Sequence, residues 1–220
     1  GIDAALLMNP KVWEASGHVA GFSDPLVECK KCHIRFRENE NGKSEIRSTK
    51  SETNSKLQCP NCGDQDTTPT RQFNLMLKTF LGPSEESANI VYLRPETAQA
   101  IFVNFKNILD TNRSKLPFGI AQQGKAFRNE ITPGNFVFRM REFEQMEIEY
   151  FVKESEWEKY FEHWLGEMKQ WLGDLGVAPS KLHYVDIPDG ERAHYSKRTV
   201  DIEYEYPFGQ KELYGLAYRG

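Results

Sequence analysis

"FGIAQQGKAFRNEITPGNFVFRMREFEQMEIEYF" (residues 118–151) sets arginines and glutamates among aromatic and aliphatic residues in what reads as a pair of strands. Residues 120–130 read as the first strand, Thr132-Pro133-Gly134-Asn135 as the turn, and residues 136–152 as the return strand. Period two divides the return strand into two faces. Phe138, Met140, Met146, Ile148, Tyr150 and Val152 make the expected packed face, interrupted by Glu142 and Glu144. The opposite face carries Arg139, Arg141, Phe143, Gln145, Glu147 and Glu149, and on the first strand Arg128 and Glu130 share a side. Planar guanidinium forks suit phosphate oxygens, an aromatic ring suits a purine, and carboxylates suit an ammonium or an exocyclic amine. Such a surface describes a nucleoside triphosphate beside an amine-bearing substrate. An antiparallel sheet with one wet face and cross-strand ion pairs would read the same way.

The rest of the chain bounds these alternatives. With 220 residues there is material for one or two domains with a real core. A net charge of −4 neither calls for a nucleic-acid partner nor excludes one, because a local basic patch suffices. No apolar run approaches the about 20 residues of a membrane span. Residues 1–10 lack the basic start and long apolar stretch of a signal peptide. The expected location is therefore cytoplasmic. The chain opens on Gly rather than Met, which suggests a fragment.

The four cysteines stand in two pairs, Cys29-Lys30-Lys31-Cys32 and Cys59-Pro60-Asn61-Cys62. Two residues between cysteines let a tight turn aim both thiolates at one ion, and this layout suits tetrahedral Zn²⁺. Two disulfides or four buried thiols are the alternatives. The spacer of 26 residues is longer than in the commonest zinc ribbons, and its interior (residues 38–57) is almost free of apolar residues and expected to be mobile. Residues 29–62 are thus expected to be a zinc-binding insertion in a core made of residues 1–28 and 63–220.

Two helices stand out. Residues 97–110 place Ala98, Ile101, Phe102, Phe105, Ile108 and Leu109 on one stripe. Pro95 precedes it, which puts Glu96 at the helix entrance. A second helix starts near Ser155 with Glu158 as a capping box. Its face of Trp157, Tyr160, Phe161, Trp164, Leu165, Met168, Trp171, Leu172 and Leu175 is expected to pack on a sheet. Residues 199–209 are a further strand.

The spacing of Phe127-Arg128-Asn129-Glu130, then Arg139, Phe143 and Glu147, resembles motif 2 of the class II aminoacyl-tRNA synthetases. "NPKVWEASGHVAGFSDPLVEC" (residues 9–29), "YLRPETAQAIFVNF" (residues 92–105) and "DIEYEYPFGQKELYGLAYR" (residues 201–219) are similar to the glycyl-tRNA synthetase family of bacterial type, in which such a cysteine insert also occurs. The resemblance covers nearly all of the chain outside the polar insert. It implies an α+β fold: a class II antiparallel sheet flanked by helices, with a zinc-ribbon-like insertion. It implies ATP-dependent activation of glycine to glycyl-adenylate and transfer to the 3′ end of tRNA(Gly), by a homodimer, with Mg²⁺ and a structural Zn²⁺.

Residue by residue, the resemblance implies that Arg128 holds the α-phosphate as the catalytic cation. Glu130 faces the adenine amine, Arg139 grips the γ-phosphate and Phe143 stacks on adenine. Glu96 and Glu147 surround the glycine ammonium. Glu212 serves ATP or Mg²⁺, with a structurally paired Glu as the alternative. Cys29, Cys32, Cys59 and Cys62 bind Zn²⁺. His18 and His194 are expected to make structural hydrogen bonds. The family's motifs 1 and 3 would lie beyond Gly1 and Gly220, so the chain is expected to be a catalytic-core fragment, and its insert is shorter than the family pattern. The alternatives are another class II synthetase of histidine type, a synthetase-like accessory protein without catalysis, and a zinc-ribbon nucleic-acid binder. The histidine-specific motif is absent from the sequence. Arg128 and Arg139, which an accessory protein would lose, are present. A ribbon alone would explain only the first 62 residues.

Overall fold

The computed structural model describes residues 1–38, 57–86, 89–193 and 195–220, so residues 39–56 of the expected mobile stretch and His194 lie outside the described residues. The elements in chain order are β1 (Leu7–Met8), α1 (Pro10–Ala15), α2 (His18–Gly21), β2 (Ser23–Glu28), β3 (Arg35–Arg37), β4 (Arg71–Asn74), β5 (Lys78–Phe80) and β6 (Ile90–Leu93). There follow α3 (Ala98–Asn112), β7 (Phe118–Phe127), β8 (Glu142–Phe151), α4 (Trp157–Asp174), β9 (Leu182–Asp186), β10 (Ser196–Tyr206) and β11 (Gly209–Arg219). The ladders are β1-β6-β5, β3-β2-β4, β7-β8 and β11-β10-β9, a mixed α/β arrangement with antiparallel sheets. No helix among the described residues is long and apolar enough to cross a membrane. Two compact units result: residues 1–114 with 119–149, and residues 115–118 with 150–220.

In the first unit the chain is knotted together at Arg94, just after β6. Its side chain is 1% exposed, and its Nε and Nη1 donate to the carbonyls of Lys125 and Ala4 at 2.8 and 2.9 Å. Its own backbone bonds Leu6 and Phe127, at 3.0 and 2.9 Å. One residue thus joins the N-terminal strand, β6 and β7. The turn that follows leads into α3, whose first residues Ala98, Gln99, Ala100 and Ile101 are buried. The expected apolar stripe of α3 holds, except that Phe102 is 38% exposed.

The charged hairpin departs from its expected form in two ways. β7 stops at Phe127 and β8 starts only at Glu142, so Arg128, Glu130, Arg139 and Arg141 lie in the connection rather than on strands. Asn135 and Phe136 take left-handed φ of 53° and 56°, and Gly134 and Arg139 bridge across them. The turn therefore falls two to three residues later than proline and glycine spacing suggests. The faces of β8 are also inverted. Met146 and Ile148 are 53% and 46% exposed, while Phe143, Gln145, Glu147 and Glu149 are half-buried. Hydrophobicity assigned the wrong face, because Glu147, turned inward, accepts from the Thr97 hydroxyl, and a buried carboxylate is tolerated when it is hydrogen-bonded.

The second unit packs α4 on the β11-β10-β9 sheet, as expected. Trp157 stacks on Tyr218 with centroids 4.4 Å apart, and Phe161, Leu172, Val200 and Ile202 are buried. Trp171 and Leu175, at the far end of the expected face, are exposed. The capping box does not form. Ser155 sits in a short 3-10 turn, α4 begins at Trp157, and Glu156 occupies the cap without a side-chain bond.

Gly124 on β7 is where Arg94 makes its closest approach: a Cβ there would stand 2.7 Å from Nη2. That guanidinium cannot swing aside without giving up its carbonyl partners. Gly124→Ala should cost about 1–3 kcal/mol, read as a lower midpoint in denaturant unfolding. An unchanged midpoint would show that Arg94 is free to move.

Candidate active site

Four consecutive residues, Arg94 to Thr97, gather Glu96, Arg128 and Glu147. The Pro95 carbonyl accepts from Arg128 Nε at 3.1 Å. Glu96 comes next. Thr97, fully buried at the start of α3, donates its hydroxyl to Glu147 Oε2 at 2.7 Å. A threonine in this position normally caps its helix, a bond typically worth about 1 kcal/mol. Here it makes no cap bond, and the hydroxyl serves the carboxylate instead.

Arg128 lies against two aromatic rings. Its guanidinium carbon lies 5.4 Å from the ring centroid of Phe22 and 5.3 Å from that of Phe143. Nε is spent on Pro95, and the terminal nitrogens make no hydrogen bond among the described residues. Cation–π contact and one carbonyl thus aim a rigid fork whose donors remain available to an anion. The same Phe143 ring was the expected platform for a purine.

Glu130 is only 6% exposed. Its carboxylate accepts from Arg37 Nη2 at 3.0 Å and from Arg139 Nη1 at 3.4 Å. Its carbonyl takes Nε and Nη2 of Arg141. Arg37 also pairs closely with Asp24. The nucleotide candidates Glu130 and Arg139 therefore meet, with Arg37 as a further member.

His18 bridges Ser16 and Glu96. Its Nδ1 lies 2.8 Å from the Ser16 hydroxyl and its Nε2 3.4 Å from Glu96 Oε1, while its ring rests against Trp13 and Phe22. Gln99 donates to the same Glu96 oxygen at 2.7 Å. Burial alone would raise the Glu96 pKa, but the His18 imidazole, the Gln99 amide and the Arg128 charge outweigh it and hold the carboxyl below its ordinary 4.5. A depressed carboxyl pKa contributes stability above the unfolded value, and that stability is lost as pH falls through the folded value.

The cysteines form two matching knuckles. His33 N donates to Cys29 O and Cys29 N to Ile34 O; Gly63 N donates to Cys59 O and Cys59 N to Asp64 O. The residue four after the first cysteine has positive φ in each, 59° at His33 and 72° at Gly63. All four sulfurs lie within 4.8 Å of one another, with Cys29–Cys62 at 3.6 Å and Cys32–Cys59 at 3.5 Å, and none is in a disulfide. A tetrahedron with Zn–S of about 2.3 Å needs sulfurs about 3.8 Å apart, so the cluster is close to that size. The Ile34 backbone N–H and the Asn61 amide pull Cys32 down to about 6. Cys62 receives the Asp64 N–H, yet desolvation and its sulfur neighbours push it up to about 12. Adjacent thiolates repel, and a dication would let all of them ionise.

Glu212 stands on β11 opposite Glu203, in the second unit, and its Oε1 would lie 3.2 Å from a Cβ placed on Gly215. Thr97, Phe22 and Arg37 escaped the sequence reading as site residues, as did the role of the Pro95 carbonyl. Thr97 follows Glu96 directly, and a threonine at a helix entrance could have been questioned. Arg37 gave no signal, lying 93 residues from Glu130.

Residues 83–212 match the family described as the tRNA synthetase class II core domain (G, H, P, S and T). The chain is similar to a glycine--tRNA ligase of Alkaliphilus oremlandii (strain OhILAs), 52% identical over 234 residues, covering 100% of this chain and 51% of that protein. It is 51% identical over 234 residues to one of Geobacillus thermodenitrificans (strain NG80-2), with 50% of that protein covered. It is 52% identical over 231 residues to one of Malacoplasma penetrans (strain HF-2), also covering 50%. The chain thus spans about half the length of the curated relatives it matches.

If His18 is what holds the Glu96 carboxyl low, His18→Ala should raise its pKa, read by carboxyl carbon NMR titration. An unchanged or lower value would assign the effect elsewhere.

Proposed function

The chain belongs to the class II tRNA synthetase core family, and from that membership we propose that it is the catalytic core of a glycine--tRNA ligase. In the complete protein it would join glycine to ATP, release pyrophosphate, and pass the glycyl group to the 3′ end of tRNA(Gly). The observation that carries this reading is that one turn serves both acids: Glu96 precedes Thr97 on it, and Thr97 holds Glu147 of β8 at 2.7 Å. Two acids around a small site suit a substrate with an ammonium and no side chain. Selection then rests on charge and on leaving no room for a larger Cβ.

Arg128 takes the α-phosphate in this scheme. The glycine carboxylate is already ionised, so its attack on phosphorus needs no general base. Negative charge builds on the phosphoryl oxygens, and a guanidinium fixed beforehand by Phe22, Phe143 and Pro95 stabilises it without reorganising. Phe143 supplies the adenine platform, Glu130 faces the adenine amine and Arg139 binds the γ-phosphate. Glu212 is the candidate for the Mg²⁺ that accompanies ATP, a cation that would neutralise phosphate charge. The ladders of the first unit belong, in this reading, to a class II antiparallel sheet flanked by helices. Residues 29–62 are its zinc-ribbon-like insertion, with Zn²⁺ on Cys29, Cys32, Cys59 and Cys62. The whole protein would be a cytoplasmic homodimer.

Glu147→Gln and Glu96→Gln keep shape and remove charge. Each should raise the glycine KM in pyrophosphate exchange about tenfold or more, since a charged hydrogen bond contributes about 1.5–3 kcal/mol. The ATP KM should move much less. Loss of ATP affinity with glycine affinity intact would mean the two halves of the site are exchanged. Elemental analysis of protein purified without added metal should find one Zn²⁺ per chain; a content near zero would refute the metal assignment.

A further inference from the structure

One strand connects the cysteine cluster to the groups assigned to ATP. β3 follows the first knuckle directly. Phe36, at its centre, is 1% exposed and packs with Val27, Cys29 and Cys59. Period two sends its neighbours Arg35 and Arg37 to the other side. Arg35 pairs with Glu28 at 2.8 Å, close to the knuckle. Arg37 reaches Asp24 and Glu130, and all three side chains are largely buried, at 17%, 21% and 7% exposure. Glu130 Oε2 is therefore shared between two arginines, closer to Arg37 at 3.0 Å than to Arg139 at 3.4 Å.

We propose that Arg37 is a positioning residue through which the metal cluster sets the nucleotide half of the site. It satisfies Glu130, and so leaves Arg139 available to phosphate. This rests on the assignment of Glu130 and Arg139 to ATP. A buried carboxylate that loses one cation must take its remaining partner more fully. Without Arg37, Glu130 would turn onto Arg139 and hold the arginine the triphosphate needs. Phe36 is packed against two of the cysteines, so a metal that ties the knuckles together also fixes the strand that presents Arg37. Metal loss and loss of Arg37 should then act on the same step.

The test is a double-mutant cycle on the full-length protein, measured as equilibrium binding of a non-hydrolysable ATP analogue by calorimetry. The four preparations are wild type and Arg37→Ala, each zinc-loaded and chelated. Arg37→Ala should weaken analogue binding about tenfold, the scale of one charge-assisted hydrogen bond, and leave glycine affinity unchanged. Chelation should weaken the wild type and add little to Arg37→Ala. Arg37→Lys keeps the charge but not the fork, and should fall between the two. It carries the test if the alanine variant does not fold. Analogue affinity in Arg37→Ala within twofold of wild type overturns the proposal, as do equal losses for glycine and analogue, or chelation and substitution effects that multiply. If the wild type binds no analogue, the nucleotide reading itself is wrong and this proposal goes with it.

Discussion

A buried guanidinium holds the turn on which the candidate site is built. Arg94 has carbonyl partners at Ala4 and Lys125, and its own backbone ties Leu6 and Phe127. Burial lowers its affinity for its proton, with the charges of Asp3 and Glu144 opposing. A cation taken out of water needs partners in fixed places, and these partners come from two separate parts of the chain, residues 4–6 and 125–127. The three residues after it continue from that fixed point. Pro95 then anchors Arg128, Glu96 meets His18 and Gln99, and Thr97 holds Glu147. Rigidity at Arg94 becomes preorganisation at the site, which is what electrostatic catalysis requires.

Charges come in matched sets around that turn. Glu130 has Arg37 and Arg139; Glu96 has His18 and the field of Arg128; Glu147 has a neutral hydroxyl from Thr97. Glu96 is thereby held below its ordinary carboxyl range, and each of the three acids has a fixed partner. The aromatic rings do more than fill space. Phe22 touches both His18 and Arg128, so one ring abuts the ammonium half and the phosphate half of the proposed site.

The sequence carried the two long helices well. α3 and α4 were legible from period, because their apolar stripes are long. Arg128, Glu96 and Glu147 were singled out by motif spacing and a proline before a helix, and the fold brings them to the Pro95–Thr97 turn. β8 was not legible. Its alternation of Met146 and Ile148 with Glu147 and Glu149 is regular, but which face is buried depends on Thr97 and other partners far away in sequence. Nor did the chain announce that the hairpin connection begins at Arg128 rather than beyond Glu130. That break depends on left-handed residues, Asn135 and Phe136, and one of them is an aromatic that seldom takes that conformation. Arg37 could not be found from pattern at all, since long-range ion pairs leave no local trace. The cysteine knuckles were the opposite case: spacing alone brought four sulfurs to one point.

The central claim is that this core selects glycine and activates it with ATP. The most direct measurement is amino-acid-dependent exchange of labelled pyrophosphate into ATP by the full-length protein, with glycine, alanine and histidine compared at equal concentration. The account predicts exchange with glycine and background with alanine and histidine. Exchange with histidine equal to or above that with glycine, or no exchange with any of the three, would contradict it.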